Sequence, residues 1–576
     1  RSGANTILVT PISWLGGMLT AAGVSATDGN HKLPAGLWGA FRDSLRRHYG
    51  GADSLFTGWV SNTMFEPKVG DHYWKQIAAN EKQLRILYDT NWEQISREGD
   101  TWKTIVSGEN KTLQIKAKIL IDGTDLGDVA AAAGAGFDIG MDARADSDES
   151  MAPENANDII QDLTYAAILK DYGPGANKTI TKPAGYDRRQ FLCACQKHCN
   201  DDTAQPHPCL TMLNYGKLPN DKYMINWPIK GNDYYTNIIE KDEQGRRADL
   251  AKAKNKTLQF IYYIQTELGY PHLGLAEDEF PTDDHLPLMV YHREGRRIHG
   301  LSRLNVNHVL KPYDYTLYRT GVAVGDYPID HHHYERPDAP EIDFPPVPSF
   351  AIPAGAMLPE KVDHLIVADK AISVSNIVNG SSRLQPVIVQ IGQVAGLVAA
   401  IAVTQQQAPR ELDLRQIQNE LLKADGYLLP FIDVDPGHPH FESVQRIGAT
   451  GLLRGKGIPF KWANQTWFYP DTSINVNTLL ENSADYFLTV ELKVKKEEIL
   501  TIGSAIAIID AWSNRSKADS WQSTVQAKWS SDWSLNNYEL SRPIKKYELA
   551  VLLDKTINPF ARSVDLSGKL LSNQDQ

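Results

Sequence analysis

Two short segments of this chain concentrate side chains that can move protons and hold charge. One reads Tyr291-His292-Arg293-Glu294-Gly295-Arg296-Arg297, and the other Tyr327-Pro328-Ile329-Asp330-His331-His332-His333. Histidine titrates near neutrality, so an imidazole suits the task of taking a proton from a hydroxyl. His332 is the first candidate for that base, with Asp330 to orient or charge a neighbouring imidazole. Arg293 and Arg297 carry planar guanidinium forks, which hold anionic or polyhydroxyl groups. Plainer uses compete with these. Three consecutive histidines also suit a metal-affine surface loop, and arginines at such spacing serve as structural ion-pair partners.

All four cysteines fall in one patch, Cys193, Cys195, Cys199 and Cys209, with His198 and His207 among them. Two disulfides would staple a loop in an oxidising compartment, zinc would use the same thiolates with a histidine, and free thiols are the third reading. The spacing matches neither a zinc ribbon nor the common iron–sulfur runs, and no metal site is assigned.

Other elements must position these groups. The apolar run Leu365-Ile366-Val367-Ala368 reads as a buried strand ending at Asp369, and a loop through Asn379-Gly-Ser-Ser-Arg383 then leads into a helix from about Leu384. Gly392 and Gly396 lie four apart on that helix beside Ala395 and Ala399. Small residues at this spacing let the helix backbone approach something flat, and a helix N-terminus favours negative charge. Upstream, Thr6–Val9 and Leu84–Tyr88 are strand-like, and Ile115–Ile121 reads as a strand closing in a turn at Asp122-Gly123-Thr124. Phe41–Tyr49 and a run opening at Pro67 have helical spacing. Asp142–Glu149 reads as an acidic surface loop, after which the chain to about residue 340 is rich in Pro, Tyr and Asn.

In this order the segments resemble the FAD-dependent oxidoreductases built on the glutathione-reductase-type, two-dinucleotide-binding fold. The likeness rests on Trp14-Leu-Gly-Gly17, on Ile121-Asp122-Gly-Thr124 with Gly127-Asp128, on Ile352-Pro353…Leu358-Pro359…Val362-Asp363, and on Gly392-Gln393-Val-Ala-Gly396. It covers roughly the first 405 residues. It implies an α/β architecture: a Rossmann-like FAD-binding domain in two parts, 1–145 and 346–408, with an inserted α+β substrate domain at 146–345. A mostly helical C-terminal module, 409–576, follows. The resemblance implies FAD as cofactor, held by Trp14, Gly16, Gly17, Thr20, Asp122, Gly123, Thr124, Asp369, Ser382, Arg383, Gly392, Gln393 and Gly396. A family Asp-x-His pattern maps onto Asp330 and His332. Three departures stand out. No Gly-x-Gly-x-x-Gly turn precedes Arg1, and Arg1–Asn5 reads as the end of the helix that should follow it. Thr10 stands where an acid is usual, and Asp369-Lys370-Ala371 where a Gly-Arg-Cys-like triplet is usual. The chain is therefore expected to be a truncated version of a longer protein, with FAD binding expected of the full length.

A formal net charge of −11 argues against a nucleic-acid groove and an anionic membrane surface. The apolar run Val394–Val403 is too short to span a bilayer. Beyond residue 410, Phe431-Ile-Asp-Val434 and Tyr469-Pro-Asp471 loosely resemble surface-layer-homology repeats, which implies contact with cell-wall glycans through residues 430–560. A periplasmic or cell-surface location would follow, with the cytoplasm as the alternative. The resulting expectation is an oxidoreductase moving hydride from a small polar, carbohydrate-like substrate to flavin. The carbohydrate part rests on 13 Trp and 24 Tyr, whose rings stack on sugar faces. Two alternatives are a lyase acting on an anionic polysaccharide, with Arg293 and Arg297 neutralising charge, and a cell-surface binding protein with a vestigial flavin fold.

Overall fold

Two pairs of β-rich runs, each far apart in sequence, align in parallel. Thr6–Val9 pairs with Leu84–Leu87, and Leu120–Asp122 pairs with Leu365–Val367. Parallel neighbours require long crossovers. Helices Gly36–Tyr49 and Pro67–Ala79 occupy the first, and the whole inserted region occupies the second. The computed structural model describes residues 2–59, 61–109, 111–201, 204–226, 228–488 and 498–571. Arg1 and 572–576, which the sequence reading included in its first and last domains, lie outside these residues. Residues 2–5 are not helical, which corrects the expected helix end. A three-stranded antiparallel meander, Thr90–Glu98, Thr101–Gly108 and Lys111–Ala117, stands between the parallel pairs. The expected strand 115–121 is therefore two strands. The chain breaks at Lys118-Ile119 because it leaves an antiparallel neighbour for a parallel one.

The inserted region builds a four-stranded antiparallel sheet, in the order Lys217–Leu218, Lys222–Ile225, Ala167–Asp171, Leu273–Leu275. Helix Glu243–Thr266 backs it, burying Phe260, Ile261, Tyr263 and Ile264. Disulfides Cys193–Cys199 and Cys195–Cys209 staple the loop beside this helix, with Cys195 in the same core. All four thiols are thus consumed in pairs. The acidic stretch at 142–149 is the surface its composition suggests only in part: Arg144, Ala145, Asp146 and Asp148 are exposed, but Asp142 and Glu149 at its ends are buried. Asp142 receives Arg297, Arg303 and the Asn376 N–H, while Glu149 receives the Val306 N–H and the Ser375 hydroxyl.

Asn379–Ser382, expected in a loop, belongs to a short helix, Asn376–Ser382, whose N-cap Ser375 accepts the Val378 N–H. Helix Gln385–Gln405 then begins with Pro386 in its first turn, where the missing N–H costs nothing. With 21 residues and a mean hydropathy of 2.1 over an 18-residue stretch, it is long and apolar enough to cross a membrane by length and composition, which corrects the length judged from Val394–Val403 alone. Here it is a core helix: Val387, Ile391, Val394 and Val398 are buried against strand Gly321–Gly325 and its neighbours. Helices Leu414–Lys423, Phe441–Thr450, Ile502–Trp512 and Lys546–Lys555 follow. Their apolar faces share one continuous core with this helix and with Val322–Val324. The C-terminal part, among the described residues, is therefore a helical layer on the same core, interrupted by the hairpin Lys456–Ile458 with Gln465–Trp467.

Candidate functional site

The three consecutive histidines lie outside any helix or strand, and their rings divide between two environments. His331 and His333 face one another at 5.5 Å, and His331 packs on Phe344. Burial and like-charged neighbours hold both below the ordinary range, His331 at about 3 and His333 at about 4. His332 turns the other way and lies between two carboxylates. Its Nδ1 is 2.9 Å from Asp233 and its Nε2 is 3.4 Å from Asp330. Burial and Arg293 push the imidazole down, yet Asp330 and Asp233 outweigh them and leave its pKa raised. A carboxylate at each nitrogen favours the protonated imidazole.

Around it the charges interlock. Arg383 donates to Asp330 at 2.9 Å and to the Tyr291 hydroxyl at 2.6 Å. Arg293 donates to Asp233, Thr164 and the Asp162 carbonyl, and lies 4.9 Å from the centre of the Tyr291 ring. Burial opposes ionisation of Asp330, but His332, Arg383 and Arg293 hold it well below the usual carboxylate range. Two acids in this neighbourhood lack such support: Asp162, which accepts the Glu335 N–H at Oδ2 but has an unpartnered Oδ1 and is raised to about 7 by burial and Asp233, and Asp28. Asp28 follows the two-residue strand Ala26–Thr27, and its N–H donates to Gln385 in the first turn of the long apolar helix. Gln385 donates in turn to the Ala26 carbonyl. The Asp28 Oδ1 is sealed from solvent and has no donor, although the residue as a whole is partly exposed. Burial, then the charge of Asp330, push its carboxyl up to about 7 against the pull of Arg383 and His332.

Of the proton-handling residues named from sequence, His332, Asp330 and Arg293 come together here, and Arg383 joins them. Arg297 does not. Its guanidinium is fully buried on Glu294, Asp142 and the Gly140 carbonyl. The remaining assigned residues divide between two places. Asp122 ends its strand with both oxygens occupied, by the Thr124 N–H and hydroxyl and by the Ala130 N–H. Burial outweighs these donors and lifts it to about 6. Asp369, in a left-handed conformation at φ 58°, pairs with the buried Lys370, which also reaches Asp125. Both turns lie at the carboxyl ends of the parallel strands, where open α/β sheets place their ligands. Trp14 packs on Phe280. Gly16 has φ 101°, and a Cβ there would lie 2.6 Å from Trp74 and 2.8 Å from Thr20. Gln393 ties the Leu37 N–H to the Ala424 carbonyl, so its amide is spent on packing.

Asp28 was missed as a chemical group in the sequence. The nearest signal was its place after Gly23-Val-Ser-Ala-Thr27, and the glutamine that fixes it lies in another part of the chain.

Residues 1–421 match the sequence profile of a family described as FAD dependent oxidoreductase. The chain belongs to that family. Its cofactor is accordingly FAD, and the polar cluster belongs to a flavoprotein. No curated protein sequence matches the flavoprotein. Among solved structures, p-nitrophenol 4-monooxygenase from Pseudomonas putida DLL-E4 is 12% identical, with a TM-score of 0.29 over 72% of this chain and 83% of that one. An aromatic hydroxylase from angucycline biosynthesis is 13% identical, with a TM-score of 0.20 over 32% of this chain. The match spans only 35% of that hydroxylase.

The residues present fit a flavin cofactor. Buried polar atoms without partners gather at the start of helix Gln385–Gln405: Ser25 Oγ, Thr27 Oγ1, Asp28 Oδ1, Ser381 Oγ and Arg383 Nε. Ser382 is buried beside them. Glycine backbones at Gly17, Gly123, Gly392 and Gly396 have open space where a Cβ would stand. Polar donors and acceptors at one end and bare backbone along a flank suit a flat ligand with a polar edge.

Proposed function

We propose that this flavoprotein oxidises a hydroxyl-bearing, ring-shaped small molecule, with Asp28 as the base that takes the hydroxyl proton. The observation that carries this reading is the Asp28 carboxyl, unpaired at Oδ1 and poised at about 7, on a turn whose N–H is tied to Gln385 in the first turn of the helix that bears the flavin-side glycines. A base works best with a pKa near the working pH. Bound FAD supplies the two-electron acceptor for the hydride that leaves the same carbon. Asp330, about a third exposed, accepts from a second substrate hydroxyl, and Arg383 fixes its orientation. His332, whose protonated form Asp330 and Asp233 favour, lies beside Asp330. The exposed ring of Tyr334, packed edge-on to His332, gives the mouth of the site an apolar surface for a sugar-like face.

The glutathione-reductase-type arrangement is part of the same proposal, supported by the two parallel strand pairs and the meander between them. A location in an oxidising compartment is likewise proposed on the two disulfides. A lyase reading draws no support from the site, because its charge-neutralising cations are already spent: Arg293 on Asp233, and Arg297 on Glu294 and Asp142.

The test is anaerobic bleaching of the visible flavin band in the FAD-loaded full chain, using methyl hexopyranosides and simple polyols. Bleaching by a member of this set, and its loss in an Asp28→Asn variant that keeps the flavin band, is the expected result. Bleaching at an unchanged rate in that variant would show that Asp28 is not the base. No bleaching by any of them would overturn the substrate class.

A further inference from the structure

Residues beyond 421 fall outside the family match, yet one of their loops reaches the site. The tip of the hairpin Lys456–Ile458/Gln465–Trp467 closes on itself, with Asn464 accepting the Phe460 N–H at 2.9 Å. It is then tied inward, because the Asn464 N–H donates to the Asp326 carbonyl at 2.7 Å. Asp326 is the residue that holds the Asp28 turn in place. Its Oδ1 accepts the Asn30 N–H at 2.6 Å and lies 2.7 Å from where a Cβ on Gly29 would stand. Next along the chain, Tyr327 is buried with its phenol in the field of Asp28 and Asp330. The indole of Trp462 stacks on that ring at 6.0 Å and 26°.

What distinguishes this hairpin from ordinary packing is exposure. Trp462 remains 48% exposed and Phe460 49%, at the end of a loop whose base is anchored. Large apolar rings left open beside a polar cleft are the usual means of gripping a flat ligand face, while carboxylates beneath take its hydroxyls. Tyr334, 42% exposed, stands on the His332 side of the same cluster.

We propose that Trp462, supported by Phe460, forms the outer wall of the Asp28 site and selects ring-shaped substrates by stacking, so that the C-terminal layer completes the active site. The inference rests on the function proposed above and adds a specificity determinant to it. Trp462 touches no group that moves a proton. Its loss weakens ring binding and leaves the pH dependence of turnover as it was.

The test measures binding of methyl hexopyranosides to the FAD-loaded full chain by titration calorimetry, with Trp462→Ala and Trp462→Phe compared under the same conditions. Loss of one stacked ring predicts binding about tenfold weaker in Trp462→Ala. Trp462→Phe, which keeps a ring, should recover most of it. Unchanged flavin absorbance in both variants shows that the fold is intact. Equal binding by Trp462→Ala and the unaltered protein overturns the wall and leaves the proposed function standing. Equal weakening in both variants overturns the stacking account. No glycoside binding by the unaltered protein overturns the ring-substrate reading and this inference with it.

Discussion

The molecule contains two buried nests of acids and arginines, and they differ in how completely their charges are matched. Around Arg297, the Glu294 oxygens take the Arg297 guanidinium, the Asn376 amide and the Gln161 N–H, while Asp142 takes two arginines and the Asn376 N–H. Every carboxylate oxygen of Glu294 and Asp142 has a donor, and the atoms left without partners there are Arg297 Nε, Arg303 Nε and Asn376 Oδ1. Around His332 the same residue types appear, but the pairing stops short at two carboxylate oxygens, Oδ1 of Asp28 and Oδ1 of Asp162. Buried groups without partners raise the free energy of the folded state, so such a group persists in a fold where something else uses it. On the proposed function, the contrast separates a nest that holds the fold together from one set up for chemistry.

Breaking the second nest at its open end should give the largest effect. Asp28→Asn is expected to lower kcat by roughly 10³-fold, within the range for loss of a positioned base, while melting at about pH 8 is unchanged or higher. A variant that loses stability along with activity would place Asp28 among the structural acids. Arg297→Met tests the opposite nest. Stranding Glu294 and Asp142 should cost about 3 kcal/mol in urea unfolding, with turnover of the folded fraction unaltered. Little loss of stability there would mean that the comparison has been drawn in the wrong place.

A smaller effect sharpens the same contrast through pH. With the Asp28 carboxyl at about 7 and required as a base, kcat/KM should rise through about pH 7 and level off above it. A flat profile from about pH 5 to 9 would count against the assignment. The smallest effect concerns Asp326, which burial also lifts to about 7. Its folded pKa lies above the unfolded value, so the folded state keeps a proton that the unfolded chain releases. Stability from this group is therefore present at low pH and is lost as pH rises through about 4 to 7. Asp326→Asn keeps the acceptor for the Asn30 N–H and removes the ionisation, so the Tm difference between about pH 5 and pH 8 should narrow.

How much of this was legible in the sequence depended on the range of the interactions. The strand Leu365–Val367, the long helix and the helices at 36–49 and 67–79 announce themselves by local apolar patterning. His332 and Asp330 were found because they are neighbours in the chain and of types that titrate. Asp142 and Glu149 were misplaced on the surface because their partners, Arg297, Arg303 and the Val306 N–H, come far later in the sequence. A run of acids looks the same whether water or arginine surrounds it. The second partner of His332 was hidden for a related reason. Asp330 was visible two residues away, whereas Asp233, which occupies the other ring nitrogen, was not.

One plain feature of the fold bears on how the protein must be handled. Strand Thr6–Val9 pairs, among the described residues, only with Leu84–Leu87, and Ile7 and Leu8 are 44% and 40% exposed. Ile121, in the other parallel pair, is also open. A strand with a bare edge and apolar side chains invites any passing strand to add to it. In solution this chain should behave as an adhesive at that edge. Concentration, storage and the company of other unfolded chains would then decide how much of it remains dispersed.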